Sequence, residues 1–328
     1  MVEKETGGPL KLDKKDKAIM QQLEENSRQS YSEIGRKVKL RSDTVEYRVN
    51  RLLESGLILR MFAEPDLDKL GLKTYRLYLK TETENPELET YLKNHPKAQW
   101  FAKFEGEWDY AIRYSLKNEG ELKKEMDALS AMFGKSISAK NVVVATQQTY
   151  LPLKYLTGGW LVRSIAFDEV SNFIMLDETD RKIMEFLFEN SRAKTVDMAS
   201  KIKISADAVQ YRIRKLLDNG IIKFFGVYYN PLVFGYTRHK LLFWLHNANL
   251  KREHELIAYC EQHQNSSYVN RIAGSWDLEL DFDAKTPAEL HGIIKDIRDK
   301  FSDIIRDYSV LTILDEHVPN PFRGSGKQ

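Results

Sequence analysis

The sequence predicts an α+β chain in which two winged helix-turn-helix domains and two ferredoxin-like βαββαβ domains follow one another in tandem. Three observations predict it. The chain repeats itself at a long fixed offset, the apolar period inside each repeat switches from helical to alternating, and positive charge gathers on the helical part. The formal net charge of the 328 residues is only +2. That total says little about partners, because a sum hides opposite patches.

The repeat comes first because it sets the boundaries. Residues 12–58 align without a gap on residues 176–222, 164 positions on, and 20 of the 47 pairs are identical. A second match has an offset of 168: Gly106, Trp108 and Asp109 pair with Gly274, Trp276 and Asp277, and Phe133 with Phe301. The difference of four residues implies a length change near residues 81–86. So long a period, seen twice, means two copies of a two-domain protomer and not a solenoid. The expected division is a flexible N-terminus (1–11), a first helix-turn-helix (12–62), a first βαββαβ domain (63–155) and a linker (156–175) hinged at Thr157, Gly158 and Gly159. A second helix-turn-helix (176–227), a second βαββαβ domain (228–320) and a flexible tail (321–328) complete it.

Within the first module, Asp13 is an N-cap residue before a helix carrying Ile19, Met20 and Leu23. Ser30 and Glu33 have capping-box spacing and open a second helix, with Ile34 and Val38 on one face. A third helix follows the turn at residues 39–41. Its apolar stripe is Val45, Val49, Leu52 and Leu53, and Gly56 ends it. Asp43, Thr44, Tyr47, Asn50 and Arg51 lie opposite, with Glu46 and Arg48 at the edges. The second copy has the stripe Val209, Ile213, Leu216 and Leu217. Its outward set is Asp207, Ala208, Tyr211, Arg214 and Lys215, edged by Gln210 and Arg212. The apolar runs 57–62 and 221–227 supply the wings.

Charge gives these helices a function. Residues 28–51 hold seven basic against three acidic side chains, a net +4; residues 192–215 hold seven against two, a net +5. The rest of the chain therefore sums to −7. A basic patch neutralises phosphates, and outward side chains of a third helix reach base edges in the major groove. The candidate DNA contacts are Arg41, Ser42, Thr44, Tyr47, Arg48 and Arg51, with Ser205, Ala208, Gln210, Tyr211, Arg212, Arg214 and Lys215. Tyr47 with Arg48, and Tyr211 with Arg212, are the central pairs. Arg51 and Lys215 suit phosphate, and Asp43 and Asp207 suit helix stabilisation. The bland alternative is two solvated three-helix domains; persistence of the basic excess in both copies argues against it.

In the second module Tyr75, Leu77 and Leu79 alternate with Arg76, Tyr78 and Lys80, as in a strand. A helix at 86–94, strands at 100–104 and 108–114, a helix at 121–133 and a strand at 141–150 complete βαββαβ, repeated over 234–316. Helices cover one sheet face and leave the other for a partner or ligand. Trp276, Leu278, Leu280 and Phe282 alternate with an acidic row, Asp277, Glu279, Asp281 and Asp283; the first copy has Asp109, Ala111, Arg113 and Ser115 there. The turn motif Gly-x-Trp-Asp makes Gly106, Trp108, Asp109, Gly274, Trp276 and Asp277 candidates to border a small-molecule pocket. A bare hairpin turn accounts for the same residues.

These motifs, together with Leu12-Asp13-x-x-Asp16, Asn26-Ser27-Arg28 and Gly56-Leu57-Ile58, resemble the Lrp/AsnC (feast/famine) transcriptional regulators over residues 12–152 and again over 176–319. The resemblance implies a DNA-binding winged helix joined to an effector and dimerisation (RAM-type) domain in each copy. It implies double-stranded DNA and an amino-acid effector as partners, and either an internal pseudo-dimer or a homo-oligomer. Ser205 stands where the family has a serine at the start of the recognition helix; the first copy has Arg41 there, leaving the cap to Ser42.

Other classes find less support. No apolar run approaches the length of a bilayer span, the N-terminus has no secretion signal, and the single Cys260 excludes an internal disulfide. A cytoplasmic location is expected. No cofactor or metal is expected, since the seven histidines show no ligand-like spacing. The chain is expected not to be an enzyme. The rival is a siroheme-decarboxylase-like enzyme of similar fold, some of which are fused pairs. That family's His-Asn-Tyr run is replaced by Gln99-Trp100-Phe101 and Tyr268-Val269-Asn270.

Overall fold

The computed structural model describes residues 10–167, 173–247 and 249–322. Each copy has the element order expected from its sequence. In the first, α1 (Lys14–Glu25), α2 (Tyr31–Val38) and α3 (Ser42–Glu54) precede β1 (Ile58–Pro65). They are followed by β2 (Lys73–Thr81), α4 (Pro86–Lys93), β3 (Ala98–Glu105), β4 (Tyr110–Leu116), α5 (Glu119–Phe133) and β5 (Ile137–Tyr150). A short helix α6 (Lys154–Thr157) and strand β6 (Arg163–Ala166) connect the copies. The second copy runs α7 (Glu178–Glu189), α8 (Thr195–Ile202), α9 (Ala206–Asp218), β7 (Ile222–Tyr229), β8 (Thr237–Leu245), α10 (Leu250–Gln262), β9 (Ser266–Ala273), β10 (Leu278–Ala284), α11 (Pro287–Phe301) and β11 (Ile305–His317).

The copies do not stay apart as four separate domains. The chain gathers into two units, each drawn from both halves. Among the described residues, one comprises 10–65, 152–161 and 182–237, the other 66–151, 162–167, 173–181, 238–247 and 249–322.

In the helical unit, Asp13 caps α1 and forms a capping box with Asp16, and Ser30 forms one with Glu33 at α2. Ile19, Met20, Leu23, Ile34, Val45, Val49 and Leu52 are fully buried and make the first core, as the 3.6-residue period requires. Neither copy forms its own wing hairpin. Each contributes one strand, and β1 pairs antiparallel with β7, from Ile58 opposite Tyr229 to Pro65 opposite Ile222. The hinge expected at residues 157–159 is instead docked: Leu153 and Leu156 enter the first helical core, and Gln21 Nε2 donates to the Thr157 carbonyl at 2.9 Å. Leu217, expected in the apolar stripe of α9, is 39% exposed.

In the sheet unit the strand order is β2-β4-β3-β11-β8-β10-β9-β5, and β5 also pairs with β2, so eight strands close on themselves; β6 adds outside β5. Closure depends on two long strands. β5 pairs with β2 through residues 137–144 and then with β9 through 144–150; β11 pairs with β8 and then β3. At about 3.4 Å per residue a strand of this length spans roughly 45 Å, enough to serve both sheets. The closing removes the free edges and the free sheet face that one copy alone would expose. The outer faces are covered by α4 and α5 over Leu77, Phe101, Ile112 and Tyr114, and by α10 and α11 over Leu241, Phe243, Leu280 and Phe282. The flexible tail expected at 321–328 begins differently, with Phe322 buried; residues 323–328 and 1–9 lie outside the described residues. Leu10 packs against the first helical core. Among the described residues no helix is long and apolar enough to cross a membrane.

Candidate functional site

The helical unit is held together by the Asn-Ser-Arg run of each copy, used reciprocally. Ser27 Oγ and Ser191 Oγ are 2.7 Å apart, and both residues are fully buried. The Arg28 guanidinium donates to the carbonyls of Ser191 and Ala193, and Arg192 Nη1 donates to those of Ser27 (2.8 Å) and Gln29 (2.6 Å). Each arginine thus caps the other copy's turn. Burial, and next the nearby Arg192 charge, push the Arg28 pKa down. One basic residue counted in each patch is therefore spent on pairing. Arg192 lies 4.0 Å from the centroid of the Tyr31 ring, a cation–π contact across the copies.

On the third helices, Tyr47 and Tyr211 project into solvent, 69% and 66% exposed. Arg41, Ser42, Ser205, Gln210, Arg214 and Lys215 are exposed; Thr44, Ala208 and Arg212 are half-buried. Arg48 and Arg51 are placed differently from a free reading face. Arg48 Nη1 donates to Asp13 at 2.8 Å and to Asp16 at 2.7 Å, and Arg51 Nη2 donates to Asp16 at 2.5 Å. The hydrogen bonds from Arg48 to Asp13 and Asp16 raise the pKa of Arg48. Both side chains lie across α1, with the Asp16 carboxylate almost wholly enclosed.

The caps differ between copies. Ser205 accepts from Ala208 N at 3.1 Å and caps α9. At α3 the cap position is Arg41, which supplies no side-chain cap, and Ser42 is already the first helical residue. The serine therefore does not replace the missing cap. The second copy lacks the corresponding bond at α8, where Lys194 is the cap residue.

In the sheet unit the Gly-x-Trp-Asp turns are packed into the fold. Gly106 has φ +143°, and a Cβ there would meet the Val310 carbonyl oxygen at 2.7 Å. Asp109 accepts from Thr81 N (2.6 Å), Thr81 Oγ1 (3.0 Å) and Lys80 Nζ (2.8 Å). Burial works against it, but Lys80 and the Thr81 bonds hold its pKa below the usual range. In the second copy a Cβ on Gly274 would meet Val143 at 2.7 Å, and Asp277 accepts from Leu245 N at 2.7 Å. Trp108 and Trp276 are buried against Tyr78, Leu242 and Leu311 between the two sheets. Trp276 thereby leaves the face it was expected to share with Leu278, Leu280 and Phe282. The two glycines and two tryptophans thus pack across the copies, while Asp109 and Asp277 bond within their own.

The acidic row of the second copy finds its partners inside the closed sheet. Glu279, fully buried, receives the Arg76 guanidinium, Tyr78 OH at 2.8 Å and Trp276 Nε1 at 3.2 Å. Lys240 Nζ reaches Asp281 at 2.6 Å, and Arg238 grips Asp283 through Nε (2.8 Å) and Nη2 (3.2 Å). Burial would push the Glu279 carboxyl up; Arg76 and then Lys240 overcome it, and the pKa lies below the ordinary range. Asp281 goes the other way, raised by burial that Lys240 does not fully offset. Sequence inspection missed this network, although inward-facing Arg76, Arg238 and Lys240 opposite an acidic row were its signal. Among the described residues no group of three or more His, Cys, Asp or Glu side chains is arranged to hold a metal ion.

This architecture defines a helix-turn-helix protein. An AsnC-type helix-turn-helix domain matches residues 12–53, and a winged helix-turn-helix DNA-binding domain matches residues 176–223. The chain is 33% identical over 113 residues to the HTH-type transcriptional regulator LrpA of Bacillus subtilis, covering 33% of this chain and 80% of LrpA. It is 25% identical over 124 residues to LrpB of the same organism, covering 38% of this chain and 82% of LrpB. The chain belongs to the Lrp/AsnC family. Over its whole length the fold is similar to a crystal structure of the siroheme decarboxylase NirDL, with TM-score 0.65, 13% identity and 94% and 93% of the two chains covered. At that identity the likeness is one of fold.

Proposed function

We propose that the protein is a sequence-specific transcriptional regulator that carries two DNA-reading heads on one chain and acts without catalysis, as an internal pseudo-dimer. The observation that carries this reading is the reciprocal Ser27–Ser191 and Arg28–Arg192 pairing, with β1 on β7, which joins two recognition helices into one unit. Tyr47 and Tyr211 remain exposed on those helices. Arg212, Arg214 and Lys215 with Gln210 in the second copy, and Arg41, Ser42 and Thr44 in the first, are the proposed contacts beside them. Arg48 and Arg51 contribute by fixing α3 on α1, and by the positive potential they add.

A covalent pair need not stay symmetric. Thr44 faces Ala208, Glu46 faces Gln210 and Asn50 faces Arg214 in the alignment of the copies. The expected DNA site therefore has unequal halves, separated by about one helical turn or a multiple of it. Selection from random duplexes, run with and without a pool of amino acids, tests recognition and effector coupling together. Recovery of a perfect palindrome would contradict the asymmetry, and failure to retard any duplex at low salt would contradict DNA binding.

The whole-chain fold likeness to NirDL supports one other reading, a tetrapyrrole-binding enzyme. The hydrogen bonds and ion pairs recorded for Glu279, Asp281, Arg76 and Lys240 involve no histidine. Mixing the purified protein with siroheme and recording the visible spectrum separates the two readings.

A further inference from the structure

The inner face of the sheet unit is well satisfied in the second copy and incompletely satisfied in the first. Arg76, Arg238 and Lys240 each meet a carboxylate. Arg113 does not. The one hydrogen bond of its guanidinium runs from Nη1 to Gln148 Oε1 at 3.3 Å, an oxygen that Arg76 Nη2 also approaches at 3.3 Å. Arg76 and Arg113 are register partners on β2 and β4, so two guanidiniums stand side by side. Like charges placed so are unfavourable without an intervening anion, and among the described residues no carboxylate pairs with Arg113.

One nitrogen of that cation and two polar atoms beside it lack a partner. Arg113 Nε, Gln99 Nε2 and Ser115 Oγ are buried without a hydrogen bond. Gln99 is 3% exposed and Ser115 8%. They are neighbours: Ser115 follows Arg113 by two positions on β4, its N–H donates to the Lys97 carbonyl, and Gln99 lies in the bulge between Ala98 and Trp100 opposite. Buried donors left unmade cost on the order of 1–3 kcal/mol each. Other buried atoms, such as Trp108 Nε1 and Ser266 Oγ, also lack a partner, so it is the grouping of these three around a cation without a carboxylate that points to a ligand.

We propose that Arg113, Gln99 and Ser115 form a binding site for the carboxylate of a small organic acid, on the face enclosed by the two sheets. One guanidinium, one amide and one hydroxyl offer N–H and O–H donors to the two oxygens of a monoanion. A multiply charged anion fits less well, since Glu279 and Asp281 belong to the network that Arg113 joins through Gln148 and Arg76. Arg113 is only half-buried, which gives the site a route to solvent. The site is distinct from the Gly-x-Trp-Asp turns, and the inference does not rest on the DNA-binding reading.

Saturation-transfer NMR on the full chain tests it, with sodium acetate, pyruvate and succinate as probes against sodium phosphate and chloride at matched ionic strength. Expected are saturable signals from acetate and pyruvate, a weaker one from succinate, and none from phosphate. Arg113→Gln should weaken binding at least about tenfold and Ser115→Ala several-fold, both with unchanged circular dichroism. Arg113→Gln also relieves the like-charge contact, so it is expected to fold at least as stably as the parent. No carboxylate signal at probe concentrations on the order of tens of millimolar, the outcome if water alone fills the site, would overturn the proposal. So would equal signals from parent and Arg113→Gln, or equal signals from phosphate and acetate.

Discussion

Replacing Glu279 by Gln removes the counter-charge of a buried cation while keeping volume and shape. Glu279 is fully enclosed, and Arg76, 5% exposed, has it as its carboxylate partner; Lys240, 3.7 Å away, retains Asp281. Breaking a buried pair by removing one partner costs about 3–5 kcal/mol, because the remaining charge is stranded. In a unit of this size each kcal/mol shifts the melting temperature by about 2–4 °C, so a fall of roughly 6–20 °C is expected. Tryptophan fluorescence during urea or thermal unfolding is the assay. Trp100, Trp108, Trp244 and Trp276 belong to the sheet unit and only Trp160 to the other, so the signal reports the right transition.

The pH dependence carries a sign. The Glu279 pKa is lowered on folding, so its contribution is complete above the unfolded carboxyl value and is lost as pH falls through the folded one. The gap between parent and Glu279→Gln should therefore be full at neutral pH and close only in acid, below the ordinary glutamate range. The double variant Arg76→Met with Glu279→Leu should recover much of the loss, since apolar replacement of a buried pair is often neutral. A single-variant cost under about 1 kcal/mol, or a gap that widens in acid, would refute the reasoning.

Three further outcomes follow from the geometry. Ser205→Ala should cost the α9 cap about 1 kcal/mol, while Arg41→Ser should add a similar amount at α3; urea midpoints of the helical unit read both. Gly106→Ala should lower the melting temperature of the sheet unit by more than Gly274→Ala, since its Cβ meets backbone oxygen at 2.7 Å whereas the nearest atom to Gly274 is a side-chain carbon. Arg212→Ala should cost about 1–3 kcal/mol of DNA affinity if it reads a base, or flatten the salt slope by about one unit if it grips phosphate; fluorescence anisotropy across salt concentrations distinguishes them.

Much of this was legible in the residues. Helix positions, the Asp13 and Ser30 caps and the strand alternation at Tyr75–Lys80 follow from local periodicity and hydrogen-bonding groups that act within a few residues, and the repeat follows from identities 164 positions apart. What was not legible is what each face meets. Arg28 and Arg192 counted as part of a phosphate-binding patch, but a basic side chain looks the same in sequence whether it faces a duplex or a neighbouring turn's carbonyls. Arg48 and Arg51 needed the fold to bring Asp13 and Asp16, over thirty residues away, within 3 Å.

The sequence by itself determined the order of helices and strands, because period and capping are properties of neighbouring residues. Only the tertiary structure decided that like modules join across the copies, that β5 and β11 each serve two sheets, and that Glu279, Asp281 and Asp283 sit inside. The reason is physical: an isolated sheet must cover its second face and its edges. Which surface covers them depends on complementary charge and shape between residues some two hundred positions apart, such as Arg76 and Glu279.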